Sequence, residues 1–208
     1  MVDTPTPMKQ LDAVEQAVYY HSRERRRSLA GVPEMFRTHQ VTIPTTPVLA
    51  TQYPTRTTLF SFWTAIRITG AAPTGLIFEL GDATTAIAAW IDDTEVSFRS
   101  GDAAADDRGI ATFDNTVSLP VGLELDLVYA VRPGDGRVRI WSNGLEIARG
   151  VATNGQLSNG WAASSNGAFA AAAVGALPAD VTQTGAPTNF DVIQPLSAFV
   201  GQVPRHFI

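Results

Sequence analysis

An Asn-Gly pair at 143–144, set between two alternating apolar runs, constrains this chain more than any other stretch. A two-residue hairpin loop of type I′ needs positive φ at both central residues, which Asn-Gly accepts at low steric cost. With these two residues as the loop, Trp141 lies opposite Glu146 and Ile140 opposite Ile147. Upstream, Pro133-Gly-Asp-Gly136 reads as a second turn. It sets Val131 against Val138, Tyr129 against Ile140 and Val128 against Trp141. Leu123, Leu125, Leu127, Tyr129 and Val131 then share one face, and Glu124, Asp126, Val128, Ala130 and Arg132 the other. A slip of one residue would turn all of them over. Three strands that agree on one inward face predict an antiparallel meander lying on a core.

The period of two continues on both sides. From Leu59, Phe60, Phe62, Ile66 and Ile68 fall on one face, with Ser61, Trp63, Ala65, Arg67 and Thr69 on the other. Leu76–Leu80, Thr85–Ile91 and Glu95–Arg99 follow as short apolar runs separated by Pro73-Thr-Gly75, Gly81-Asp82 and Asp92-Asp93. Many short strands at this spacing predict an all-β sandwich or jelly roll. Residues 101–115 read as a polar loop, Ala168–Val174 as a strand of small residues, and 176–190 as a further loop. The run from Val192 to Phe207 supplies one or two closing strands.

Residues 1–55 differ in kind. Thr6 caps and Pro7 opens a helix over 8–28, in which Leu11, Val14 and Val18 form a narrow apolar stripe. Arg23, Arg25, Arg26 and Arg27 fill its last turns, where cations complement the helix dipole. Pro33, Pro44, Pro47 and Pro54 then keep 32–58 extended. Two readings remain for this segment. Either the helix packs on its own domain, or Leu11, Val14, Val18, Arg23 and Arg26 anchor the chain to a partner, because so narrow a stripe gains little alone. The chain thus divides into an anchoring helix and arm, 1–55, and a β domain, 56–208.

Charge divides at the same place. Of the net −5, residues 1–58 carry +2 and residues 59–208 carry −7. An acidic body argues against nucleic-acid binding. No window reaches the ~18 apolar residues of a membrane span, and the N-terminus lacks a basic start followed by an apolar run, so neither a transmembrane segment nor a secretory signal is expected. With no cysteines, disulfides, thiolate metal sites and thiol nucleophiles are excluded.

Four stretches carry a family resemblance: Thr58-Leu-Phe-Ser-Phe-Trp-Thr-Ala-Ile-Arg-Ile68, Gly75-Leu-Ile-Phe-Glu-Leu-Gly81, Val138-Arg-Ile-Trp-Ser-Asn-Gly-Leu-Glu-Ile147 and Phe199-Val-Gly-Gln-Val-Pro-Arg-His-Phe207. Through them the chain resembles the concanavalin A-like lectin/glucanase superfamily, in particular its laminin-G-like jelly rolls, over about residues 56–207. The resemblance implies a closing strand that returns beside the first. It also implies a place among the structural proteins of tailed-phage virions, as a capsid decoration, head fibre or tail component. On that reading the chain is a non-catalytic attachment protein, located in the virion and assembled in host cytoplasm. Residues 1–55 would bind other virion proteins or further copies of the chain, and the head could touch a host surface glycan. A carbohydrate-binding lectin is the alternative.

The enzymatic branch of the superfamily uses Glu-x-Asp-x-(x)-Glu on one strand, and retaining glycosidases need two carboxyls ~5–5.5 Å apart. Glu124-Leu-Asp126 offers two acids on one face, but Val128 and Tyr129 stand where a third would fall. No catalytic residues are assigned, and a glycoside hydrolase ranks third. The three histidines, His21, His39 and His206, have no metal-ligand spacing. A structural Ca²⁺ would draw on Asp82, Asp92, Asp93, Asp102, Asp106 or Asp107, whose spacing matches no loop template. No cofactor is expected. For sugar binding the candidates are exposed aromatics beside polar groups: Trp141 next to Glu146 on the predicted outer face, and Trp161 with Asn159 in a polar loop. Trp63 and Trp90 also project from the less apolar faces of their strands.

Overall fold

The computed structural model describes residues 60–104, 107–155 and 166–200. Their elements are ten strands: β1 (Phe60–Ile68), β2 (Thr74–Gly81), β3 (Thr85–Asp92), β4 (Glu95–Asp102), β5 (Arg108–Asp114), β6 (Glu124–Arg132), β7 (Arg137–Ser142), β8 (Leu145–Val151), β9 (Asn166–Phe169) and β10 (Phe190–Val200). They form two five-stranded antiparallel sheets, ordered β10-β1-β6-β7-β8 and β5-β4-β3-β2-β9. This is an all-β, concanavalin A-like jelly-roll sandwich. The helix and arm expected over 1–55, with Leu11, Val14, Val18, Arg23 and Arg26, lie outside the described residues. Among the described residues no helix is long and apolar enough to cross a membrane.

The hairpin at the centre of the sequence reading forms as expected. Asn143 (φ 50°) and Gly144 (φ 83°) take the two left-handed positions of a type I′ turn. The register sets Trp141 against Glu146, Val131 against Val138, Tyr129 against Ile140 and Val128 against Trp141. One expected pair is corrected. A bulge between Ile140 and Trp141 shifts Ile140 onto Ala148, so Ile147 and Ala148 both approach the core. As the resemblance implied, β10 returns beside β1, pairing Phe60 with Val200 and Ile68 with Phe190. Its ladder slips where Ala65 meets Gln194. The adjacent Pro195 has no N–H to give, which an edge strand tolerates.

Two segments depart from expectation. Arg108–Asp114, read as loop, is strand β5, paired with β4 through Phe98/Ala111 and Val96/Phe113. Its Gly and Asp residues hid a strand whose only fully inward apolar anchor is Ala111. In the other direction, Ala168–Val174 is strand only to Phe169. Alanines 170–173 have little β preference, and the chain instead turns out of the sheet.

Between the sheets lies one apolar core drawn from both inner faces, including Phe60, Phe62, Ile66, Ile68, Ile87, Leu127 and Val131. At its centre Phe62, Phe78, Phe98 and Tyr129 cluster, with ring centroids 5.2 Å (Phe62–Phe78), 5.5 Å (Phe78–Tyr129) and 5.0 Å (Phe98–Tyr129) apart. One flank is closed where β8 meets β5: a Cβ at Gly150 would lie 1.7 Å from the Ile110 carbonyl oxygen. Only a residue without a side chain fits there.

Candidate functional site

The outer faces of the sheets are not the solvated faces that alternation predicts. On the first sheet, Trp63 pairs with Val128 and Val128 with Trp141, forming one row across β1, β6 and β7. Trp63 is 9% exposed and Trp141 8%. Side by side in this row, with Ala130 and Ser61 buried next to them, the rings do not stand free as a sugar platform. The expectation of an exposed Trp141 is therefore corrected. Its ring has the Arg139 guanidinium 5.9 Å from its centroid. Glu146 is opposite Trp141, as read from the register, and is held by two cations: Arg139 at 3.1 Å and Arg149 at 2.9 Å. Asn159 and Trp161, the expected polar-loop half of the site, lie outside the described residues.

The possible catalytic carboxylates are engaged in structure. Glu124 Oε1 accepts from Arg67 Nη2 at 2.6 Å and Nε at 2.9 Å. Asp126 Oδ1 accepts the Trp63 indole N–H at 3.4 Å, while the Asp126 amide donates to Asn143 Oδ1 at 3.1 Å. The calcium candidates are scattered. Asp82 caps the turn into β3 by accepting from Thr84 and Thr85 amides, and Asp102 binds the Thr85 hydroxyl at 2.5 Å. Asp92 and Asp93 sit at the opposite end of the β3–β4 hairpin, where Asp93 accepts from Ser118. Asp107 meets Asn154, and Asp106 lies outside the described residues. Among the described residues no three His, Cys, Asp or Glu side chains could jointly hold a metal ion.

The second sheet carries the cluster that sequence reading missed. Leu76, Ala88, Trp90 and Ala168 on its outer face form a second apolar cluster, with Val181, Leu177 and Ala173 from the segment after β9 laid over them. Trp90, expected on an outer face, is thereby buried to 3%. Under the same cover are Glu79 and Arg99, both fully buried. Arg99 donates to the carbonyls of Ala86 (2.7 Å), Gly101 (3.1 Å) and Asp102 (2.8 Å), and its Nε lies 2.8 Å from Asp180 Oδ2. Burial lowers the pKa of Arg99 and the charge of Asp180 holds it up. Arg108, 3.7 Å from Asp180 Oδ1, extends the pair. Glu79 Oε1 accepts from the Val174 amide at 3.3 Å, and Oε2 has no hydrogen-bond partner. Burial pushes its pKa up to about 7, against the pull of the Val174 and Ala168 amides. Glu79 and Arg99 lie on the face of the sheet that points away from the core between the sheets. A segment some 90 residues further along the chain removes the water, and no local pattern announces it.

No protein-family model matches the sequence, and no curated protein matches it. Solved structures do. The CBM40 of Ruminococcus gnavus IT-sialidase bound to α2,3-sialyllactose aligns at 11% identity and TM-score 0.53, over 77% of this chain and 84% of that one. NanB with Optactamide aligns at 12% identity and TM-score 0.51, over 80% of this chain but 26% of that one. Mouse laminin α1 domains LG4–5 align at 16% identity and TM-score 0.43, over 72% and 39%. This chain thus spans about a quarter of the NanB structure it matches. At these identities the likeness is one of fold.

Proposed function

We propose that this chain is a non-catalytic glycan-recognition module, a jelly-roll head displayed by residues 1–55 on a virion surface. The observation that carries the recognition reading is the match in size to a CBM40 bound to sialyllactose, most of which this chain covers. The likeness extends over 84% of that module. Engagement of the acids supports a non-catalytic reading: Glu124 is paired with Arg67, and Asp126 is tied to Trp63. A glycosidase requires a carboxyl pair of which one holds a transferable proton. The virion setting is supported by the division of the chain. Leu11, Val14, Val18, Arg23 and Arg26 would bind other virion proteins or further copies of the chain, and the head would face a host surface glycan. A protein without cysteines suits assembly in the reducing interior of a cell.

The sugar contacts in this reading come from Trp161 and Asn159, with Glu146 on the β7–β8 hairpin. The test is a glycan array, with both sialyllactose linkages included, probed with the full chain on multivalent beads. Retention of a defined glycan set is expected, lost in Trp161→Ala and weakened in Glu146→Gln. Trp141→Ala reports mainly on folding, because the ring is buried. If the folded full chain retains no glycan, the recognition reading is overturned. β-Glucan hydrolysis that disappears in Glu124→Gln would overturn the non-catalytic one.

A further inference from the structure

Residues 59–208 hold eight Lys/Arg against fifteen Asp/Glu, so cations are scarce in the β domain. Four of the eight meet on one outer face. The register sets Arg132 on β6 directly opposite Arg137 on β7, and Arg139 on β7 directly opposite Arg149 on β8. Val138 and Ile140 belong to the core, so Arg137 and Arg139 face away from it, about 7 Å apart along the strand. The four guanidiniums thus form two adjacent rows on the outer face of the first sheet. The other arginines of the described residues are engaged elsewhere, Arg67 with Glu124, and Arg99 and Arg108 with Asp180.

Fold stability does not explain this arrangement. Like charges directly opposite each other across a ladder are destabilising, and the chain accepts two such pairs side by side. Protection of a sheet edge does not account for them either. β6 and β7 are interior strands, and only Arg149 lies on the edge strand β8. Each row is braced by one carboxylate that its two arginines share. Asp135 Oδ2 lies 3.3 Å from Arg132 Nη1 and 3.5 Å from Arg137 Nε. Glu146 lies 3.1 Å from Arg139 and 2.9 Å from Arg149. Two guanidiniums and one carboxylate leave each row positive. The four side chains stay open to solvent, from 34% for Arg139 to 76% for Arg149. Beyond them on the same face, the row of Val128 and Trp141 separates the arginines from Asp126 and Glu124.

We propose that these two rows bind the anionic groups, phosphate or carboxylate, of an acidic host-surface glycan. The proposal rests on the glycan-recognition reading above and names the class of glycan. Asp135 and Glu146 already display the mode of binding, in which two guanidiniums converge on one oxyanion. The planar donor fork of arginine suits carboxylate and phosphate alike. Two positive rows side by side fit a polymer that carries repeated anions better than a single acid. The acidic remainder of the domain repels such a polymer, so the patch also sets which face it meets.

The test uses beads carrying the full chain and three polymers: polygalacturonate for carboxylate, a phosphate-bearing mannan for phosphate, and uncharged dextran. Retention of one or both acidic polymers is expected, weakening as salt rises, while dextran washes through. Which acidic polymer is held tells carboxylate from phosphate. Arg132→Gln/Arg137→Gln and Arg139→Gln/Arg149→Gln should each weaken retention about tenfold, the equivalent of one charge-assisted hydrogen bond. Arg67→Gln removes the same kind of charge beyond the Trp row and should leave retention unchanged. Arg149→Gln alone, at the most exposed of the four, should also weaken retention and serves if a double variant fails to fold. Retention untouched by these head variants places the binding elsewhere in the chain and overturns the proposal. So does an equal loss in Arg67→Gln. Failure to retain either acidic polymer overturns it too, and the glycan array then separates the two readings. A defined glycan set still held there means that recognition stands without this site, whereas none held removes both.

Discussion

A methyl group at position 150 would collide with the Ile110 carbonyl oxygen, and neither atom belongs to a side chain that can turn aside. Gly150→Ala should therefore part β8 from β5 at a cost of about 3 kcal/mol, the upper range for overpacking. A urea midpoint within error of wild type would show that the seam yields. Asp180→Asn tests a different kind of residue. It leaves the buried Arg99 guanidinium with three carbonyls and only the weaker pull of Asp102, which should cost about 3 kcal/mol in the same assay. Tyr129→Phe goes the other way. The Tyr129 hydroxyl is fully buried with no hydrogen-bond partner, so its removal should be neutral or stabilising by up to ~1 kcal/mol. A loss above 1 kcal/mol would reveal a partner for it. Of these positions only those with a local cause were legible in the sequence. Asn143 announces its own positive φ, whereas the need for glycine at 150 is set by Ile110 on the other sheet.

At the scale of elements, registers were legible because each follows from a turn and a period, and β6 to β8 needed nothing more. The covered outer faces were not legible, because alternation says which residues share a face and not whether water reaches it. Glu79 shows the consequence. Its pKa is raised on folding, so the folded chain holds a proton that the unfolded chain releases. Below about pH 4.5 both states are protonated and Glu79 contributes no pH dependence. As pH rises from there to about 7 stability falls, and above 7 the full penalty, about 3 kcal/mol, is present. Urea unfolding free energies should thus decline between pH 5 and 8 in wild type and stay level in Glu79→Gln, once the change shared by both is subtracted. Parallel profiles would place the titrating group elsewhere.

For the whole molecule, the question is whether 1–55 and 56–208 are separable, as display on an anchor requires. Every described member of the main core cluster falls between Phe60 and Leu196. A chain starting at residue 56 therefore retains the whole of that cluster and both sheets. It should unfold cooperatively within about 1 kcal/mol of the full chain, as an independent domain does. It should also sediment as a monomer and fail to associate with particles that retain the full chain. Tryptophan emission supplies the discriminating measurement, because Trp63 and Trp141 are buried on the outer face of the first sheet and not in the core between the sheets. If residues 1–55 serve a partner, deleting them leaves both rings shielded and the emission maximum in place. A red shift with lost stability would mean that the segment shields its own domain. Leu11, Val14 and Val18 would then be core residues of this chain, and the virion anchor would have to be abandoned while the jelly roll stands.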